Sequence, residues 1–256
     1  MNALCLVKQV PDAPEVPIGD DLTLRRDLVA QALNLADASA VELALRLKET
    51  LGGRVMAVTM GPERAEGMLR DLIARGVDEA ALLNGPAFAG ADTLATARAL
   101  AAAARVLGPF DLLLFGRRAS DGETGQVGPM VAALLDVPCV VNATCAQCDE
   151  THLRARQLTE NGSILWQARL PAVLTLCEWS YSLRLASLRG LKAARSASIP
   201  RLRPEDIGLD CSLCGLAGSP TRVIRLRAPD KGARQTKWIA PEQMDSFLRE
   251  VIASKP

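Results

Sequence analysis

Arg117, Arg118, Asp121 and Glu123 share one short stretch with Gly116, Gly122 and Gly125. Arginine grips phosphate through a planar fork of N–H donors. The two carboxylates, two residues apart, are a candidate acid–base pair, but carboxylates in a turn ahead of a helix suit loop-bracing and N-capping better. The chain has a single histidine, His152, which falls beside a hairpin far from this loop and reads as a surface or hairpin residue. There is no Gly-x-Ser-x-Gly, no His-Glu-x-x-His, and no Cys–His pair near the loop. Nothing supplies a nucleophile with its base, so no catalytic residue is assigned. Cys145/Cys148 and Cys211/Cys214 form two Cys-x-x-Cys pairs, separated by far more than the roughly 15–20 residues of ordinary zinc ribbons, and no metal site is expected.

The elements around the glycines explain what they are for. Leu112 to Phe115 is a short apolar run, the pattern of a strand buried on both faces. After the loop an apolar-periodic helix runs to about Leu135. Strand, glycine-rich turn and helix N-terminus in that order place unpaired N–H groups and a positive dipole end at one point. The spacing matches neither Gly-x-Gly-x-x-Gly nor the P-loop. Two readings stand: an anion or nucleotide site at a strand end, and a turn whose glycines only relieve backbone strain.

Composition removes several classes of function. The 256 residues are 49% hydrophobic, enough for a full core, and 30 basic against 29 acidic residues leave a net charge of +1. That balance gives no electrostatic case for nucleic acid or an anionic membrane, and 3% aromatics argue against a base-stacking platform. No apolar run is long enough to span a bilayer. The N-terminus reads as a first strand and not a signal peptide, and seven cysteines without an export signal point to reduced thiols and a cytoplasmic protein.

Along the chain, strands at 3–7, 54–59, 80–83 and 112–115 alternate with helices at 34–50, 62–75 and 92–107. That order predicts right-handed βαβ units on a mostly parallel α/β sheet with helices on both faces. Prolines 11, 14 and 17 enforce an extended loop to about Asp21. After Pro138 the pattern becomes a run of strands with an Asn161-Gly162 hairpin turn, an antiparallel extension ending the sheet. Residues from about 180 to 220 read as loop and arm. A polar linker, 228–237, leads to an amphipathic helix over 241–252. The domains expected are 1–220, binding nucleotide, and 221–256, a C-terminal arm and helix that docks either on its own domain or on a partner.

The run Gly116-Arg-Arg-Ala-Ser-Asp-Gly-Glu-Thr-Gly-Gln-Val-Gly-Pro129 resembles the signature loop of the beta subunit of electron transfer flavoprotein. Val7-Lys8-Gln9-Val10-Pro11-Asp12, Asn34 with Asp37, Val58-Thr59-Met60-Gly61-Pro62, Leu170-Pro171-Ala172-Val173 and Ser187-Leu188-Arg189-Gly190 resemble other stretches of that family in the same order. The resemblance implies an adenine-nucleotide alpha-hydrolase-like α/β fold and a heterodimer with an alpha subunit, on which the 221–256 arm and helix docks. The pair carries electrons between flavoprotein dehydrogenases and a quinone reductase or ferredoxin-type acceptor; it is not a bond-breaking enzyme. It implies FAD shared with the alpha subunit and an adenine nucleotide held here, either AMP or a second FAD. Val7 to Asp12 and Asp121 onward look more like the two-FAD branch, which includes nitrogen-fixation-type and electron-bifurcating proteins. By position the nucleotide contacts would be Leu6, Lys8, Asn34, Leu35, Ala36, Asp37, Met60 and the loop Gly116, Arg117, Arg118, Ala119, Ser120, Asp121, Gly122, Glu123, Thr124, Gly125, Gln126 and Val127. The loop Ser187 to Arg195 resembles the partner-recognition loop, with Leu188 as anchor and Arg184 and Arg189 beside it. Departures from the family are Leu35-Ala36, in place of a proline and an acidic or aromatic residue, and Arg118, where glutamine is usual. A regulatory adenine-nucleotide module of the universal-stress-protein type is the alternative with a similar core.

Overall fold

The apolar run after the third long helix lies at the middle of the sheet. The computed structural model describes residues 1–13, 16, 17, 19, 25, 28–224, 236 and 238–253, so part of the proline loop and nearly all of the 228–237 linker lie outside the described residues. The strands in chain order are β1 (Ala3–Leu6), β2 (Gln9–Pro11), β3 (Gln31–Leu33), β4 (Val55–Met60), β5 (Glu79–Leu83), β6 (Leu112–Gly116), β7 (Cys139–Cys148), β8 (His152–Thr159), β9 (Gly162–Arg169), β10 (Ala172–Leu176) and β11 (Arg201–Leu202). Nine of them form one sheet in the order β11-β5-β4-β1-β6-β10-β7-β8-β9, while β2 and β3 pair as a separate antiparallel ribbon. Every pairing from β11 to β7 is parallel; β7, β8 and β9 are antiparallel.

Helices cover both faces. On one side α1 (Leu35–Leu51), α2 (Glu66–Ala74) and α5 (Leu188–Ser196) bury Val41, Leu45, Leu69, Leu72 and Ala194 against Cys5, Val55 and Leu114. On the other, α3 (Thr93–Leu107) and α4 (Val127–Leu135) bury Ala97, Leu100, Val131 and Ala132 against Leu4, Leu113 and Phe115. Leu113 and Leu114 face opposite layers, as a run buried on both faces requires. Asp92 caps α3 by accepting the N–H groups of Leu94 and Ala95. Its other oxygen accepts from Thr221 near the end of the first unit.

Two expectations are corrected. The run after the hairpin is not part of the antiparallel extension: β10 returns to the centre and pairs parallel to both β6 and β7. All five of its residues are buried, which only a central strand permits. The region from 180 to 220 is more than an arm: it holds α5, capped by Ser187 Oγ on the Gly190 N–H, and β11 on the far sheet edge. Gly190 lies where a Cβ would sit 2.0 Å from the Ala74 carbonyl, so α5 crosses α2 at backbone contact.

The described residues divide into two units, Met1–Arg222 and Val223–Pro256. The second holds α6 (Met244–Ala253), preceded by a 3-10 turn at Pro241–Gln243. Among the described residues no helix is long and apolar enough to cross a membrane. The two Cys-x-x-Cys pairs lie in different layers: Cys148, the last residue of β7, packs against the core on the α1 side of the sheet and Cys214 in the core on the opposite side, so one ion does not bind both pairs.

Candidate functional site

The loop from Gly116 to Gln126 leaves the carboxyl end of β6, where parallel sheets place their ligand crevices. Two residues of the α1 start hold it there. Asp37 is 5% exposed and spends both carboxylate oxygens on backbone N–H groups, Oδ2 on Lys8 at 2.7 Å and Oδ1 on Gly116 at 2.9 Å. It thereby ties the ends of β1 and β6 together. Asn34, 3% exposed, donates to the Arg118 carbonyl at 2.9 Å and accepts from the Ser120 N–H at 3.3 Å. Gly116 is required at this crossing: a Cβ there would sit 2.4 Å from Asp37 Oδ1 and 2.6 Å from the Ala36 Cβ. Burial pushes the Asp37 carboxyl up to about 6, opposed by the Lys8 N–H, Asn34, the Gly116 N–H and the Lys8 charge.

The rest of the loop is folded by a turn, with the Gly122 and Glu123 N–H groups on the Ala119 carbonyl. Glu123 and Gly125 take positive φ, 50° and 63°. The loop then enters α4, where Gln126 accepts from the Thr93 hydroxyl. The first N–H groups of α4 have no intrahelical carbonyl to reach, and Pro129 carries none. Arg117, Arg118, Thr124, Gly125, Pro129, Val141, Asn142 and Thr175 line an open cleft of about 340 Å³. A second, of about 440 Å³, shares Arg117 and Asn142 and extends to Gln157–Glu160 at the hairpin tip.

Each described cation of the loop is already matched with a carboxylate. Lys8 Nζ meets Asp121 Oδ1 at 2.7 Å, with the Asp121 side chain only 2% exposed. Arg118 reaches Glu178 at 3.3 Å and Glu123 at 3.1 Å. Arg117 Nε lies 2.7 Å from Glu178 Oε2 but off the line needed to donate, so this buried N–H has no aligned acceptor. Burial would raise the Glu178 carboxyl; its own backbone N–H and the two arginines outweigh that and hold it below the usual range.

The sequence-predicted positions thus converge at the carboxyl ends of β1, β4 and β6, but they divide in role. Leu6 and Ala36 are buried in the core, so what they offer a ligand is backbone. Asn34 and Asp37 brace the loop; Leu35 is half exposed and Met60 ends β4 at its rim. Sequence reasoning missed Thr175, Asn142 and Glu178. Glu178 ends the run Ala172–Glu178, and its place at a carboxyl strand end becomes visible only once β10 is known to be central and parallel.

The segment read as partner recognition behaves unevenly. Leu188 is 88% exposed and Leu185 87%, with Arg189 exposed beside them. Arg184 is engaged internally, its Nε 3.0 Å from the buried Glu42 and its Nη1 on Glu49. This ion pair pins the chain after β10 to α1.

The electron transfer flavoprotein domain model matches residues 21–207. Among curated proteins, the chain is 39% identical to the electron transfer flavoprotein subunit beta of Thermoanaerobacterium thermosaccharolyticum, over 90% of this chain and 89% of that one. It is 40% identical to the caffeyl-CoA reductase-Etf complex subunit CarD of Acetobacterium woodii, over 90% and 88%. It is 34% identical to protein FixA of Bradyrhizobium diazoefficiens, over 100% and 93%.

Proposed function

The chain belongs to the electron transfer flavoprotein beta-subunit family, and from that premise we propose that its glycine loop holds an adenine nucleotide while a partner alpha subunit completes the electron carrier. The observation that carries this reading is the bracing of the loop. Asn34 and Asp37 fix its backbone across two strand ends, so Thr124, Gly125 and Pro129 at the start of α4 line one cleft with two arginines on its wall. A phosphate suits that donor set. Positive φ at Gly125, with room for a Cβ only 3.2 Å from the Arg117 carbonyl, fits a backbone kept bare for close approach.

In this reading Thr124 to Gln126 and the arginines hold the phosphates, while the ends of β1 and β4, with Lys8 and Met60, border the rest of the nucleotide. FAD, where bound, accepts and releases the electrons. The chain's residues position it and keep charge balanced around it. The neighbouring cleft toward the hairpin tip leaves length for a dinucleotide, which favours a second FAD over AMP. Leu188 and Leu185, with Arg189 beside them, form an apolar contact in a basic setting, suited to a small transient docking with flavoprotein dehydrogenases. The acceptor belongs to the quinone reductase or ferredoxin-type class, and the unit 223–256 docks on the alpha subunit.

Co-expression with the alpha subunit, followed by denaturation and quantification of released nucleotide, tests this. Two FAD per heterodimer support the two-flavin reading, and one FAD with one AMP supports the other branch. A colourless chain that captures no alpha subunit would overturn the electron-carrier assignment and favour a regulatory nucleotide module.

A further inference from the structure

We propose that Glu178 is a built-in competitor for the nucleotide's phosphate: its carboxylate bridges Arg117 and Arg118 and must yield them when phosphate enters the cleft. This inference rests on the nucleotide reading of the loop and adds a residue that sets its affinity.

The three carboxylates that meet Lys8, Arg117 and Arg118 are not equivalent. Asp121 is 2% exposed on its side chain and fixed to Lys8. Glu123 is 59% exposed and reaches Arg118 only from the solvent side. Glu178 alone touches both arginines, at 2.7 and 3.3 Å, and both arginines line the same cleft as Thr124 and Gly125. A carboxylate there offers the guanidiniums what phosphate oxygens would offer: a planar, charged acceptor. The match is incomplete, since Arg117 Nε has no aligned acceptor despite its 2.7 Å approach. A tetrahedral phosphate presents acceptors in more directions than a planar carboxylate and can meet that N–H.

The backbone supports the placement. Trp179, directly after Glu178, takes φ 65°, and Asn142, which lines both clefts, takes φ 54°. Such conformations are unfavourable for residues other than glycine and cluster at binding sites. The turn at Trp179 carries the chain away from β10 immediately after Glu178. Movement of Glu178 therefore needs only its own side-chain torsions, and no change of strand pairing.

The test uses the full chain stripped of nucleotide, titrated calorimetrically with AMP and with adenosine, which lacks the phosphate. Glu178→Gln keeps the shape and removes the charge. It should bind AMP about tenfold tighter than the original chain, ~1.4 kcal/mol, while adenosine affinity stays unchanged. In an Arg118→Gln background the gain should shrink, because one of the two contested arginines is gone. AMP affinity unchanged in Glu178→Gln, or AMP and adenosine moving together, overturns the competition. Failure of the original chain to bind AMP and FAD alike overturns the nucleotide site itself, a distinct result. If Glu178→Gln does not fold, Glu178→Asp, one methylene too short to span both guanidiniums, provides the same comparison.

Discussion

Lowering the pH should act on Asp37 in two opposite ways at once. This carboxyl is held up at about 6 by burial, against an ordinary value near 4. Because the folded value lies above the unfolded one, the folded chain takes up its proton first. The contribution of Asp37 to stability is therefore largest at low pH and is lost as pH rises through 6. From pH 8 to pH 5 the gain is RT ln[(1 + 10)/(1 + 0.08)], about 1.4 kcal/mol, or roughly 3–5 °C in Tm for a domain of this size. Cys5, Lys8 with its partner Asp121, and the polar groups of Asn34 and Gly116 face Asp37. Cys5 stays a thiol throughout, its own titration pushed far up by burial. Other carboxylates contribute their own slopes, so the quantity to measure is the difference between the chain and its Asp37→Asn variant, by thermal and urea unfolding at several pH values. That difference should move by about 1.4 kcal/mol in favour of the unmodified chain between pH 8 and 5. Binding should go the other way. A protonated Asp37 keeps only one strong acceptor for two N–H groups, so the clamp on Lys8 and Gly116 loosens and nucleotide retention falls with a midpoint near 6. A stability difference that is flat from pH 8 to 5, or that favours the variant as pH falls, would refute the argument.

Gly116→Ala should cost about 3 kcal/mol, since its Cβ meets a carboxylate and the Ala36 backbone with nowhere to move, whereas Gly122→Ala, facing open space, should unfold within about 1 °C of the parent. Arg184→Ala leaves the buried Glu42 with Arg46 alone and should cost about 2–3 kcal/mol, with proteolysis after residue 178 accelerated if the segment detaches from α1. Gly190→Ala should lift α5 off α2 and lower electron transfer from the dehydrogenase while nucleotide content stays the same. Equal loss of both would place α5 in the core of the fold instead of at its docking face.

Legibility in the sequence followed locality. The Leu112–Phe115 strand and the Asn161-Gly162 turn are each specified within a few residues, and the structure places them as read. The position of β10 is not local. A fully apolar strand after a hairpin reads the same whether it stays beside its neighbour or crosses back, and only its burial on both faces separates the two. Helix α5 meets the rest of the protein mainly through Gly190 and Ala194, small residues that a hydrophobic pattern does not flag. At the site, glycines and arginines showed where a ligand could sit. That Asn34 and Asp37 brace the loop, and that Glu178 opposes the arginines, depends on residues sixty or more positions apart. No spacing rule connects them.

The return of β10 to the centre also has a cost during synthesis. The strand that fills the gap between β6 and β7 is made last of the three. At about 5–20 residues per second, the roughly 60 residues from the end of β6 to the end of β10 take about 3–12 s to emerge. Throughout that interval β6 is a bare, apolar sheet edge on the ribosome, and the β7–β9 hairpins fold before they have a core to join. A growing chain in this state is open to capture by a trigger-type chaperone or by another copy of itself. The nascent subunit is most exposed to misassembly in the seconds before residue 176 is in place.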